Sequence, residues 1–302
     1  MIRTLLVIFL FSIFLTSVAQ DSAKLLDGYY TIDKIDLLLH SQKTSEARKL
    51  FMSEKLDKQL TPYQCFYFAD AFIETKDTIL SRRLVNDGFS KGVGWNWLTP
   101  YPKLKKCLTF SDSLYYSNTI REAKCKMDVE LYAQLSAMSS TDQYIRGKWL
   151  HTHDTVFLRA MKEVDSLNAN AVFKIIDKYG WLGHNTYPLE EKLFPIFLHV
   201  TSERLDSTHF ESYKKQIYQE VLKGRMLPST YAIWVDRYCV FNLKKPQVYG
   251  TFWKRTDKGK ELEGVQNPEV IDKTRRSIGL ISLREYLEIN KENIKPDWYN
   301  IK

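Results

Sequence analysis

Residues 231–253 read YAIWVDRYCVFNLKKPQVYGTFW, and the reading of their first half decides the fold class. As a helix capped by Ser229, residues 231–243 make the second half of the chain predominantly α. Their β-branched and aromatic residues would also suit a strand. Asp236 and Arg237 stand in the middle of this run, among Trp234, Val235, Cys239, Val240, Phe241 and Leu243. Adjacent residues on a helix point about 100° apart, so the two charges do not satisfy each other. A buried charge without a partner is costly. Each therefore needs a partner from another element: Arg275 or Arg276 for Asp236, and Asp142 or Asp165 for Arg237. Two readings follow. The charges form a salt-bridge network that fixes helix register, or they floor a pocket for a small anionic or polar ligand; both gather charge in this way.

Working outward, the second half keeps helical spacing. Leu131, Leu135, Met138 and Ile145 follow it. So do Val172, Ile175 and Ile176, with Gly180 as terminator. EEKLFPIFLHV is apolar nearly all round after its first residues, the mark of a buried helix. Thr208 with Glu211, and Ser282 with Glu285, have capping-box spacing. Asn267 and Pro268 open a helix that Gly279 stops. The first half is helical as well. LLLHSQKTSEARKLF (37–51) echoes AFIETKDTILSRRLV (71–85) at an offset of 34 residues, the period of tetratricopeptide hairpins. Thr61, Pro62 and Gln64 read as a helix start, and Gly88 and Gly92 as helix stops. The expected fold is all-α or nearly so. A helical-hairpin, tetratricopeptide-like region over 20–128 opens on a short polar lead (20–28), and a larger helical domain follows over 129–302.

The first twenty residues are MIRTLLVIFLFSIFLTSVAQ. Arg3, an apolar run from Leu5 to Leu15, and Ser17 and Ala19 before the cut give a secretory signal peptide over 1–19. The run is too short to span a membrane comfortably, and no other segment has the length. The expected location is exported, periplasmic or extracellular. The formal charge of +8 becomes +7 without Arg3, but the basic residues are dispersed among acids, so no nucleic-acid partner is expected. An exporting compartment permits disulfides. Cys65, Cys107, Cys125 and Cys239 allow three pairings; Cys65 and Cys239, in apolar surroundings, also read as buried free thiols.

Chemistry-bearing residues are few. His199, flanked by Phe197, Leu198 and Val200, is a core histidine or a general base. His184 lies on a loop, where binding residues concentrate. His151, His153 and Asp154 form HTHD, which on a strand would aim two rings at one metal, but no strand signal surrounds it. Phosphate-loop, dinucleotide, nucleophile-elbow and zincin motifs are absent. No metal and no cofactor is expected.

From MSSTDQYIR (138–146) through DSLNANAVFKIIDKYGW (165–181), LHV (198–200), AIWVDRYCV (232–240) and QVYGT (247–251) to DKTRRSIGL (272–280), the chain resembles a bacterial family known as domain of unknown function 6624. The resemblance covers about 129–289. It implies matching positions at Asp142, Gln143, Arg146, Asp165, Asn168, Gly180, Trp181, His199, Asp236, Arg237, Gln247, Tyr249, Gly250, Thr251, Arg275 and Arg276, and it supplies no reaction. Leu182, Leu198 and Phe252 depart from the family's usual Pro, Gln and Gln. The expected function is that of an exported, non-enzymatic interaction or polar-ligand-binding protein. Asp142, Arg146, Asp236, Arg237, Gln247, Tyr249, Arg275 and Arg276 would be its polar cluster, and its partner a protein or a small polar or anionic ligand. The alternative is a hydrolase with His199 as base and Arg237 or Arg276 stabilising negative charge.

Overall fold

Residues 228–241 are helical. The computed structural model describes residues 2–54, 56, 59–183, 186–204, 206–256 and 259–289. In chain order the helices are α1 (Ile2–His40), α2 (Thr44–Ser53), α3 (Pro62–Ile73), α4 (Thr78–Ser90), α5 (Pro102–Cys107), α6 (Phe110–Cys125), α7 (Val129–Thr152), α8 (Thr155–Tyr179), α9 (Tyr187–Arg204), α10 (Ser207–Leu222), α11 (Pro228–Phe241), α12 (Ile271–Arg276) and α13 (Leu283–Ile289). An antiparallel hairpin of β1 (Trp253–Thr256) and β2 (Gly259–Leu262) is the one sheet among the described residues. The chain is all-α in class.

Helix wins over strand in α11 because the helix is enclosed on nearly every side. Nine of its fourteen residues are buried, so aromatic and β-branched side chains find partners all round it. The Trp234 ring lies 5.3 Å from Phe197 of α9 and 5.0 Å from Phe210 of α10, and Tyr238 stacks flat on Phe210. Pro228 occupies the first turn, where its missing N–H is harmless; Leu227, not Ser229, is the residue before the helix. α10 likewise starts two residues earlier than its Thr-Glu spacing suggests. The Asp206 carboxylate accepts the N–H groups of Thr208 and His209, and a carboxylate outcompetes a hydroxyl for that position. Gly88 does not stop α4. It lies inside the helix, where a Cβ would come within 2.8 Å of the Phe66 ring; Gly92, at φ 88°, is the stop. The capping boxes at Thr61–Gln64 and Ser282–Glu285 form as their spacing predicts.

Three apolar clusters result. The first, from α1 to α6, is dominated by Phe51, Phe66, Phe68, Phe72 and Phe89. Its two sequence echoes both open a helix, Thr44 in α2 and Thr78 in α4. The second gathers α7 to α11 around Trp181, Phe197 and Trp234. The third is small and joins the β-hairpin to α12 and α13 through Leu262, Val265, Ile271, Leu283 and Leu287. None of the four cysteines is in a disulfide among the described residues, and Cys65 and Cys239 are buried.

The second half of α1 ties these clusters together. Residues 20–28 are helical, and not the polar lead their composition suggests. Tyr29, Ile32 and Ile35 enter the first core, and Leu26 packs against the second. Asp27 pairs with Arg276 at 2.7 Å, Lys34 pairs with Glu285, and the Arg276 guanidinium stacks 3.8 Å from the Tyr30 ring centroid. Gly279 (φ 88°) admits the helix, since a Cβ there would approach the Leu26 carbonyl oxygen to 2.8 Å. Among the described residues no helix is long and apolar enough to cross a membrane.

Asp33 sits at this junction beside Arg275 and accepts the Ile281 N–H. Burial pushes its carboxyl up to about 7; the Arg275 charge opposes the rise without cancelling it. Burial raises Glu190 to about 7 as well, against the hydrogen bond from Trp181. Both folded values exceed the unfolded ones, so the folded chain holds these protons after the unfolded chain has released them. Their stabilisation is complete below about pH 4 and is lost as pH rises to about 7. Urea denaturation of wild type and Asp33→Asn between pH 4 and pH 8 should show the wild type losing more stability across that window than the variant.

Candidate functional site

The expected polar cluster is two assemblies. The first surrounds Asp236, which is fully buried. Its partners are neither Arg275 nor Arg276. Oδ1 accepts the N–H groups of Val248 (2.7 Å) and Tyr249 (2.8 Å), and Oδ2 accepts the N–H and hydroxyl of Thr251 (2.9 and 2.7 Å). Burial pushes the carboxyl above the usual range while these four hydrogen bonds pull it back. The turn they hold needs Gly250 at φ 71°. Gln247, also fully buried, closes the other side. Its amide donates to the carbonyls of Phe252 and Glu263 and accepts the Phe252 N–H at 2.7 Å. Arg275 reaches the same turn from α12, donating Nη1–H to the Tyr249 carbonyl at 2.6 Å and Nε–H to the Ile281 carbonyl at 2.7 Å. Asp236, Gln247, Tyr249 and Arg275 thus form one closed lock between α11, the 247–252 turn and α12. Arg237, the next residue on α11, places its guanidinium 5.0 Å from the Phe241 ring centroid.

The second assembly lies where α7, α8 and α9 meet. Asp142 and Arg146 are one turn apart on α7, the spacing that brings an acid and a base together. The Arg146 Nε–H donates to Asp142 Oδ1 at 3.0 Å, and Nη2–H donates to Asp165 of α8. Nη1 lies 3.1 Å from the Met161 sulfur. The other oxygen of Asp142 takes the Gln143 amide at 2.7 Å and contacts His199 Nδ1 of α9 at 2.9 Å. Burial would raise the Asp142 carboxyl, but the hydrogen bond and charge of His199, with the Arg146 guanidinium, outweigh it and hold it below the usual range.

Exposure is graded across this assembly. The side chains of Asp142 and Asp165 are 1% and 0% exposed, Arg146 is 16% and His199 21%. The carboxylates lie behind; the imidazole and guanidinium lie in front. Asp165 Oδ2 and Asn168 Nδ2, one turn apart on α8, are buried without a hydrogen-bond partner among the described residues.

Arg276 belongs to neither assembly, because Asp27 and Tyr30 of α1 hold it. The base beside the Asp142–His199 pair is Arg146. HTHD is the tight connection between α7 and α8: His153 ends α7 in the left-handed region (φ 53°), and the Asp154 carboxylate caps α8 through the Val156 N–H. Both of its histidines are exposed, and among the described residues no three of His, Cys, Asp and Glu gather as a metal group. His184 lies outside the described residues. Residue spacing did not point to Met161. The pairing of Trp181 with buried Glu190, through Nε1–H at 3.1 Å, was missed too; the Glu in the first turn after the Gly-Trp loop was its one signal.

The sequence profile of DUF6624, a family of unknown function, matches residues 128–296. The chain belongs to this family. The match opens at Asp128, the residue that caps α7 through the Leu131 N–H, and it takes in both assemblies, so both belong to the DUF6624 part of the chain. No curated protein and no solved structure matches the chain.

The two assemblies predict different mutational costs. Asp236→Ala strands three buried or half-buried amides and a hydroxyl and should cost about 3–5 kcal/mol. Arg276→Ala breaks a half-exposed pair and a stacking contact and should cost about 1 kcal/mol. Urea unfolding midpoints of the two variants check the contrast.

Proposed function

We propose that this DUF6624 protein is an exported, non-enzymatic protein that binds a small polar or anionic ligand at the Asp142–Arg146–His199 assembly. One observation carries the reading: a nearly fully buried carboxylate holds a one-fifth-exposed imidazole at 2.9 Å and anchors a guanidinium with its other oxygen. A network serving packing alone has no use for an outward-facing edge. Here the rigid part is inside, and the groups that recognise ligand oxygens face out. Such support from behind is what binding groups need to keep their geometry. The helical hairpins of the first half, read as a tetratricopeptide-like surface, are where a protein partner would dock.

The same contact favours one second reading. A carboxylate on Nδ1 orients an imidazole for proton transfer. In a hydrolytic version of the site His199 is the base, and Arg146, rather than Arg276, is the cation beside it.

A thermal-shift screen with sugars, carboxylates, phosphates and nucleotides tests the proposal. Some ligand class should raise the wild-type midpoint by several degrees and leave His199→Ala unmoved, while unliganded His199→Ala melts within a few degrees of wild type. If nothing shifts the wild type and His199→Ala melts far lower, the assembly is structural and the proposal fails. Turnover of the stabilising ligand, abolished in His199→Ala, would select the hydrolytic reading.

A further inference from the structure

Export with cleavage between Ala19 and Gln20 leaves glutamine as the first residue of the mature chain. That residue lies within α1, so the mature chain opens directly on a helix. Gln20, Asp21, Ala23 and Lys24 are exposed, and Ser22 is half-buried. Packing begins at Leu25, against the first core, and Leu26, against the second. The new terminus therefore stands clear of the body, ahead of the first core contact.

Two properties of such a terminus act in the same direction. A free α-ammonium at a helix start adds positive charge where the helix dipole is already positive, which is unfavourable. The α-amine also has a pKa of ~8, so a share of it is uncharged and nucleophilic near neutral pH. The Gln20 side-chain amide is the electrophile within its reach, and closing the ring needs no other group of the chain. The amine nitrogen attacks Cδ and a new C–N bond forms. The Cδ–Nε2 bond breaks, and ammonia leaves with the proton the amine gives up. The product is a neutral five-membered lactam, and the positive charge at the helix start is gone.

We propose that Gln20 is a modification site: after export it cyclises to pyroglutamate, and the blocked terminus shields α1 from aminopeptidases. This rests on the exported reading and is independent of the His199 assembly. What the lactam guards is the segment that ties the cores together. That segment carries the Asp27–Arg276 pair and the buried Tyr29, Ile32 and Ile35. Stepwise trimming from an unblocked start would pass through exposed residues and then reach these contacts.

Expression of the full chain in bacteria, with recovery from periplasm and medium, supplies the test. Intact mass and the N-terminal peptide should show a chain that starts at residue 20 and is lighter by one ammonia than its glutamine form. Aminopeptidase should leave this protein unchanged. Gln20→Ser keeps a small polar residue after the cut and cannot cyclise, so it should carry a free amine and be shortened by the same treatment. Removing the lactam residue from wild type with pyroglutamyl peptidase should produce the same susceptibility, independently of the substitution. An exported chain that starts elsewhere, or at residue 20 with unmodified glutamine, overturns the inference and leaves export standing. A chain that keeps Met1 and stays in the cell overturns both. Resistance of Gln20→Ser to aminopeptidase overturns the shielding role.

Discussion

A single carboxylate with four donors organises this protein. Asp236 is buried on a helix enclosed by aromatic rings, and its hydrogen-bond donors are not cations. Its charge is met by the amides of Val248, Tyr249 and Thr251 and by the Thr251 hydroxyl. The turn that supplies these donors therefore has one shape, with Gly250 in the left-handed region. That shape points the Tyr249 carbonyl at Arg275. Arg275 then fixes the Ile281 carbonyl, while the Ile281 N–H is taken by Asp33 of α1. A relay of polar contacts thus runs from α11 through the turn and α12 to the helix that enters both large cores.

The DUF6624 domain uses buried acids in two opposite ways. Around Asp236 every acceptor is filled by groups of the same lock, and nothing faces outward. Around Asp142 the acid is equally buried, but its partners Arg146 and His199 are partly exposed. Removing a carboxylate from water is costly in either place. In the first case the return is a fixed connection between elements. In the second it is an imidazole and a guanidinium held in one orientation at the edge of a three-helix junction.

The helical class, two capping boxes and the stop at Gly180 were legible in the sequence, because each rests on residue type and spacing within one turn. The apolar surroundings of Asp236 correctly signalled that its partners come from another element. The identity of those partners was not legible. Backbone amides belong to every residue and leave no mark in composition, so Arg275 and Arg276 were the visible candidates. The role of QVYGT was half visible: Gly250 marked the turn, and nothing marked the amides. For the candidate site, the four-residue spacing of Asp142 and Arg146 was readable. Their meeting with His199, 57 positions away, needed the packing of α7 on α9. The continuation of α1 past residue 20 was hidden because its contacts are split between two cores.

The relay claim is tested most directly by native-state hydrogen exchange at the amides of Val248, Tyr249 and Thr251. If Asp236 fixes this turn, those three amides, though outside any helix or strand, exchange only through global unfolding and match the most protected amides of α11. Exchange at the rate of exposed loop amides, with α11 still protected, would show that the turn opens independently and contradict the account.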